Sequence, residues 1–117
     1  MKYLVLGSSG VIGSALVSLL KKENETVFEF DIQRDVNEDL RLENNVILEE
    51  KMKEADFVYF LAFDVGGYKY LSEKQDDFEY ITNNIKIMSN TFEMIKKYKK
   101  PFVFASTQLV ELKNSSY

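Results

Sequence analysis

Residues 2–13 read Lys-Tyr-Leu-Val-Leu-Gly-Ser-Ser-Gly-Val-Ile-Gly, a short apolar run followed by three glycines at intervals of three. The apolar run at residues 2–6 is typical of a strand that is buried on both faces of a parallel sheet, and Gly7 closes it. From Val11 onward, apolar residues recur every three or four positions until the polar stretch at residues 21–24. These residues therefore predict a strand, a tight turn and a helix.

The same alternation continues along the rest of the chain. Apolar runs and helical periodicity predict further strands at residues 26–30, 57–62 and 102–105, and helices at residues 46–54 and 76–99. We interpret residues 32–45 as a polar loop with room for a short strand near Leu40, and the last strand as a buried one. Strands that alternate with helices form a parallel sheet covered on both faces, so the fold class is α/β.

Each glycine of the turn has its own physical use. Gly7 permits a sharp exit from the strand, Gly10 lets a ligand approach bare backbone, and Gly13 lets the helix pack close to the sheet. The N–H groups at the start of the helix, including those of Val11 and Ile12, are then available to hold an anion. A diphosphate fits this arrangement.

An acidic residue at the end of the second strand strengthens this interpretation. Asp31 follows Gly13 by 18 positions, where a carboxylate can accept both hydroxyls of an adenosine ribose. The pair predicts a dinucleotide site that prefers NAD, because the carboxylate repels the 2'-phosphate of NADP. Arg34 lies close enough in sequence to keep NADP open as the less favoured cofactor.

Composition narrows the function further. The chain has 117 residues, 45% of them hydrophobic and 29% charged, which predicts one globular domain over residues 1–117. It has no cysteine and no histidine, so we expect no metal site and assign any acid-base chemistry to other side chains. A net charge of −4 argues against nucleic-acid binding. No apolar run reaches the roughly 20 residues that cross a bilayer, so we expect no membrane contact and a cytoplasmic location.

The Gly-x-x-Gly-x-x-Gly spacing resembles that of the short-chain dehydrogenase/reductase superfamily. The rest of the chain resembles its extended branch, the NAD-dependent epimerases and dehydratases that modify nucleotide-sugars. This resemblance implies a Rossmann-like parallel sheet flanked by helices, here incomplete at the C-terminus and without a substrate domain. The resemblance covers nearly the whole chain. Each motif on its own is loose, but the order and spacing of the motifs together are specific.

The resemblance also implies roles for particular residues. Asp39-Leu40 resembles the pair that contacts adenine, and Leu61-Ala62-Phe63 resembles the cofactor-lining Leu-Ala-Ala segment, although Phe63 replaces an alanine. Asn83 resembles the helix asparagine that steadies the nicotinamide half of the site, and Asn84 is the close alternative. Ser106 is similar to the residue just before the catalytic Ser/Thr, and the implied cofactor contacts therefore extend to it.

The same family implies the catalytic residues. Thr107 stands in the catalytic Ser/Thr position, and Tyr117 resembles the tyrosine that exchanges a proton with a sugar hydroxyl. The lysine expected four positions beyond Tyr117 is not part of this chain, so we expect cofactor binding with little turnover. Tyr117 as a simple terminal residue is the alternative.

Two hypotheses for function remain open at this point. The first is the NAD-binding part of a nucleotide-sugar epimerase, dehydratase or reductase, in which the helix at residues 76–99 forms half of a homodimer contact. The second is a non-catalytic dinucleotide-binding or sensing module. After the third strand, Val65-Gly66-Gly67 is similar to a glycine pair of some GDP-sugar enzymes, but an ordinary glycine loop explains it equally well.

Overall fold

The computed structural model describes residues 1–62 and 77–105, and the side chains of the second range from residue 81 onward. In this part of the chain the elements are β1 (Lys2–Leu6), α1 (Val11–Lys22), β2 (Thr26–Phe30), α2 (Val46–Glu54), β3 (Phe57–Phe60), α3 (Asp77–Tyr98) and β4 (Phe102–Phe104). The predicted order of strands and helices is confirmed, with ends that differ by two residues at most. The α/β assignment is confirmed as well.

The described strands form one parallel sheet in the order β2-β1-β3-β4. β1 pairs with β2 from Lys2 opposite Thr26, and with β3 from Tyr3 opposite Phe57. β4 joins the outer edge of β3, with Tyr59 opposite Val103. The chain thus leaves β1 toward one side and later returns to its other side, as in Rossmann-like sheets.

Side chains of each strand alternate between the two faces of the sheet. On one face, α2 and α3 cover a core that includes Leu4, Leu6, Phe30, Leu48, Met52, Val58, Phe60, Ile87 and Ile95. On the other face, α1 covers Val5 through Val17 and Leu20. Because both faces of β1 are buried, its run of apolar residues lacks a polar alternation.

The suggestion of a short strand near Leu40 was wrong. Residues 32–45 form turns, and the N–H of Leu42 donates to the carbonyl of Asp39 at 3.2 Å. The carbonyl of Leu40 accepts a hydrogen bond of 2.9 Å from the Asn90 side chain on α3. The turn and this side-chain contact occupy backbone groups that a strand would need for a neighbour.

The prediction that the fourth strand is buried was also wrong. β4 lies at an edge of the described sheet, and Phe102 and Val103 are 43% and 44% exposed. Val103 is on the α1 face, but α1 contacts the far side of that face, near β1 and β2. On the other face, Phe92 of α3 packs against Phe102 and Phe104. An apolar sequence alone did not reveal that, among the described residues, no helix covers the Val103 face.

Candidate functional site

The glycine turn, Asp31 and the Leu61-Ala62 segment lie at the carboxyl edge of the sheet. The turn after β1 leads into α1 and back to β2, whereas β3 lies on the opposite side of β1. A reversal of direction of this kind, at the carboxyl ends of β1 and β3, marks the usual position of ligand sites in open α/β sheets.

Two glycines of the turn are required by the protein's own packing. Gly7 has φ +92°, and a Cβ there would lie 2.9 Å from the backbone nitrogen of Ala62. A Cβ at Gly13 would lie 1.9 Å from the carbonyl oxygen of Gly7. The turn therefore packs against the end of β3 at Gly7 and against α1 at Gly13. The close approach of α1 is as predicted, whereas the contact with the end of β3 was not predicted.

Gly10 differs, because nothing in the described protein requires it to be glycine. Its φ of −71° and ψ of 173° suit any residue, and a Cβ would meet only the Gly7 carbonyl at 3.5 Å. Gly10 is the N-cap of α1, and it makes no side-chain cap. In the described residues, no acceptor meets the N–H groups of Val11, Ile12 and Gly13. Open space beside free N–H groups at a helix N-terminus fits a diphosphate.

The Asp31 carboxylate is fixed against this turn. Its Oδ2 accepts a 2.9 Å hydrogen bond from the N–H of Ser9, and its Oδ1 accepts one of 2.8 Å from the N–H of Gln33. Each carboxylate oxygen has a second lone pair free for a further donor. The acid is therefore placed beside the helix N-terminus, with acceptor sites left for two ribose hydroxyls.

A buried ion cluster supports the segment that follows Asp31. The side chain of Glu38 is 4% exposed and pairs with Arg34 Nη1 at 2.8 Å and with Lys51 Nζ at 2.6 Å. Its Oε1 also accepts the N–H of Asp31 at 3.0 Å. Burial raises the pKa of Glu38, but hydrogen bonds from Lys51, the Asp31 amide and Arg34 outweigh it and hold the pKa below the ordinary value.

Sequence reasoning did not find this cluster. Glu38 and Lys51 are 13 positions apart, in a loop and a helix that share no periodic pattern. Arg34 and Glu38 do have a four-residue spacing, but that spacing predicts an ion pair only within a helix. The sequence also could not predict the hydrogen bond from Ser9 to Asp31, because its donor is a backbone N–H group.

Of the remaining residues predicted to bind the cofactor, some lie next to the glycine turn, some lie elsewhere in the fold and some are outside the described residues. Leu61 and Ala62 directly follow β3, next to Gly7, and Leu61 donates its N–H to the Leu6 carbonyl at 2.9 Å. Asn83 is buried on α3. Phe63, Ser106, Thr107 and Tyr117, with the Gly66-Gly67 pair, lie outside the described residues.

The proposed adenine pair makes strong contacts within the protein. Leu40 is 6% exposed and belongs to the core beneath α2 and α3. Asp39 forms an ion pair with Arg41, 2.7 Å from Oδ2 to Nη2, and this hydrogen bonding holds the pKa of Asp39 below its ordinary value. The contact of these two residues with adenine stays a prediction.

Across residues 1–62 and 77–105, no group of three or more acidic side chains is arranged to hold a metal ion. No helix there combines the length and apolar character needed to traverse a bilayer.

Comparisons with known proteins bear on the fold and on the family of this chain. Among solved structures, the chain is similar to a GDP-L-fucose synthetase from Naegleria fowleri bound to NADP, with a TM-score of 0.70 and 18% sequence identity. The match covers 88% of this chain and 32% of that one, so the chain spans about a third of its length. Among curated proteins, none matched. The model of the NAD dependent epimerase/dehydratase family matches residues 3–111, and the chain therefore belongs to that family.

Proposed function

We propose that this chain is the NAD-binding portion of an enzyme that epimerises, dehydrates or reduces a nucleotide-sugar. The observation that carries the proposal is the Asp31 carboxylate held against the glycine turn by the Ser9 amide. A diphosphate over the N–H groups of Val11 and Ile12 would leave the adjoining ribose within reach of Asp31. Membership of the family and the open space at Gly10 support the same assignment.

The proposed cofactor is NAD rather than NADP. A carboxylate at the ribose accepts hydrogen bonds from two hydroxyls, whereas a 2'-phosphate would place two anionic groups side by side. The structurally similar synthetase is bound to NADP, so the preference proposed here depends on Asp31 and not on that likeness.

The proposed chemistry follows the order of residues along the chain. A bound nicotinamide would supply a hydride acceptor at the carboxyl edge of the sheet. Thr107, three positions after β4 ends at Phe104, would orient the reacting sugar hydroxyl, and Tyr117 would exchange its proton. A positive charge close to Tyr117 would favour the tyrosinate.

The test is a calorimetric titration of the chain with NAD+. Asp31→Asn removes the charge, and one of its two oxygens becomes an amide that no longer accepts a hydrogen bond. We expect the Kd for NAD+ to rise about tenfold, the effect of one charge-assisted hydrogen bond. Asp56→Asn is the matched control, because Asp56 Oδ2 also accepts a backbone N–H, from Lys2 at 2.8 Å, at the opposite edge of the sheet.

Two results would contradict this proposal. One is the absence of NAD+ binding at millimolar concentration, and the other is an equal loss of affinity in both variants. A non-catalytic sensing module is separated from an enzyme by reading the coding frame beyond Tyr117. Continuation into a lysine-containing helix and a substrate domain would support the enzyme.

We further propose that the chain forms a homodimer through α3. Three apolar side chains of this helix, Ile81, Ile85 and Met88, are 51%, 60% and 37% exposed. Their spacing of four and three residues places them in one stripe. An exposed apolar stripe on a long helix is suited to pair with the same stripe of a second copy.

A further inference from the structure

Arg34 is the residue best placed to favour NADP, because it lies close to Asp31, but its side chain binds Glu38 instead. Arg34 lies on the same turn, since its N–H donates to the Asp31 carbonyl at 3.1 Å. A guanidinium near the end of the second strand is the group that usually receives a 2'-phosphate in this kind of fold. The position of the Arg34 side chain therefore bears on which dinucleotide is bound.

The Arg34 guanidinium is held by Glu38 and by backbone. Nη1 lies 2.8 Å from each carboxylate oxygen of Glu38 and donates to the Glu29 carbonyl at 3.2 Å. The hydrogen bonds to Glu38 also raise the pKa of Arg34. Lys51 donates to both Glu38 and the Glu29 carbonyl, at 2.6 Å each, which anchors the carboxylate from α2. The Glu38 carboxylate is thus bound by two cations and is almost wholly buried.

Arg34 cannot move to a ligand without a cost. Its departure would leave the buried Glu38 carboxylate with one cationic partner in place of two, and breaking a buried pair is strongly destabilising. Glu38 Oε1 also accepts the Asp31 N–H, so the same oxygen joins the backbone of the ribose-binding residue to the Arg34 guanidinium.

We propose that Glu38 is a positioning residue that sets the cofactor preference of this chain toward NAD. By binding the Arg34 guanidinium, it keeps that cation from a 2'-phosphate, and Asp31 then meets the ribose without a neighbouring positive charge. This inference rests on the proposed function, because it concerns the selectivity of the same dinucleotide site.

The experiment measures Kd for both NAD+ and NADP+ by calorimetry on the chain and its variants. We expect Glu38→Gln to raise NADP+ affinity relative to NAD+ by about fivefold to tenfold, as a released guanidinium gains a phosphate contact. In Glu38→Gln with Arg34→Ala, the gain should disappear. Arg34→Ala alone should change the ratio less than about twofold, because the guanidinium is already engaged elsewhere.

Glu49→Gln is the matched control. It neutralises another carboxylate that holds a cation, Lys97 Nζ at 2.9 Å, and leaves the pair of Arg34 and Glu38 in place, so the ratio of the two Kd values should stay unchanged. A merely structural role of Glu38 would weaken binding of both nucleotides together and would move the ratio in neither variant.

Three results overturn the inference. The first is an unchanged ratio of the NAD+ and NADP+ Kd values in Glu38→Gln. The second is a gain in NADP+ affinity that persists in the double variant, and the third is a severalfold loss of NADP+ affinity in Arg34→Ala alone. If circular dichroism shows that Glu38→Gln does not fold, Arg34→Ala is the remaining test, and a severalfold loss of NADP+ affinity in that variant overturns the inference. Failure of the unaltered chain to bind either nucleotide removes the proposed function and this inference together, whereas NAD+ binding with an unmoved ratio removes only the inference.

Discussion

The same substitution, glycine to alanine, should have opposite consequences at Gly10 and at Gly13. At Gly13 the added methyl would lie 1.9 Å from the Gly7 carbonyl oxygen and 2.9 Å from its carbon. Both are backbone atoms, so no side chain can turn aside. At Gly10 the nearest atom within reach is the same oxygen at 3.5 Å, an ordinary contact, and the backbone is extended.

The magnitudes follow from these distances. To bring the Gly13 methyl even to 3.0 Å, α1 and the turn must separate by about 1 Å, and overpacking of this severity costs about 3 kcal/mol. At Gly10 the unfolded chain loses entropy while the folded chain gains no clash, so the free energy of unfolding should change by less than about 1 kcal/mol. The Gly10 methyl does enter the space proposed for the diphosphate, which should raise the Kd for NAD+ at least about tenfold.

Urea unfolding of both variants, followed by NAD+ calorimetry at a temperature where each is folded, measures the two effects separately. Gly10→Ala should be stable and deficient in binding, and Gly13→Ala should be unstable. The reasoning would be refuted if Gly13→Ala were as stable as the unaltered chain. It would also be refuted if Gly10→Ala bound NAD+ normally.

Three further outcomes are expected. Met52→Ala should lower the free energy of unfolding by about 2–5 kcal/mol in urea, because Met52 is fully buried, whereas Val46→Ala at a 63% exposed site should change it little. Folding lowers the pKa of Glu38, so this carboxylate stabilises the fold above its unfolded-state pKa near 4.5, and the stabilisation is lost as the pH falls further. In Glu38→Gln, the free energy of unfolding should therefore fall less steeply as the pH is lowered. An unchanged slope would contradict this. Ile85→Glu should convert a dimer to a monomer in analytical ultracentrifugation, unlike the control Lys86→Glu on another side of α3, and a monomeric unaltered chain would remove the dimer proposal.

Local sequence predicted most of the fold because its signals are short in range. The apolar run before Gly7, the helical period after Val11 and the β-branched segment that ends at Asp31 each specify one element from neighbouring residues. Parallel pairing then follows, since strands joined through helices lie side by side in one direction. The two wrong predictions, a strand near Leu40 and a buried β4, concern segments whose conformation or burial depends on which other segments pack against them.

The glycine turn, the acid at position 31 and the order of strands and helices were determined by the sequence itself, because spacing along the chain is enough to specify them. The openness beside Gly10, the Ser9 amide on Asp31 and the capture of Arg34 by Glu38 were decided only in the tertiary structure. Each of these depends on atoms from different segments meeting at hydrogen-bond or van der Waals distance. No periodicity in a linear sequence encodes such distances.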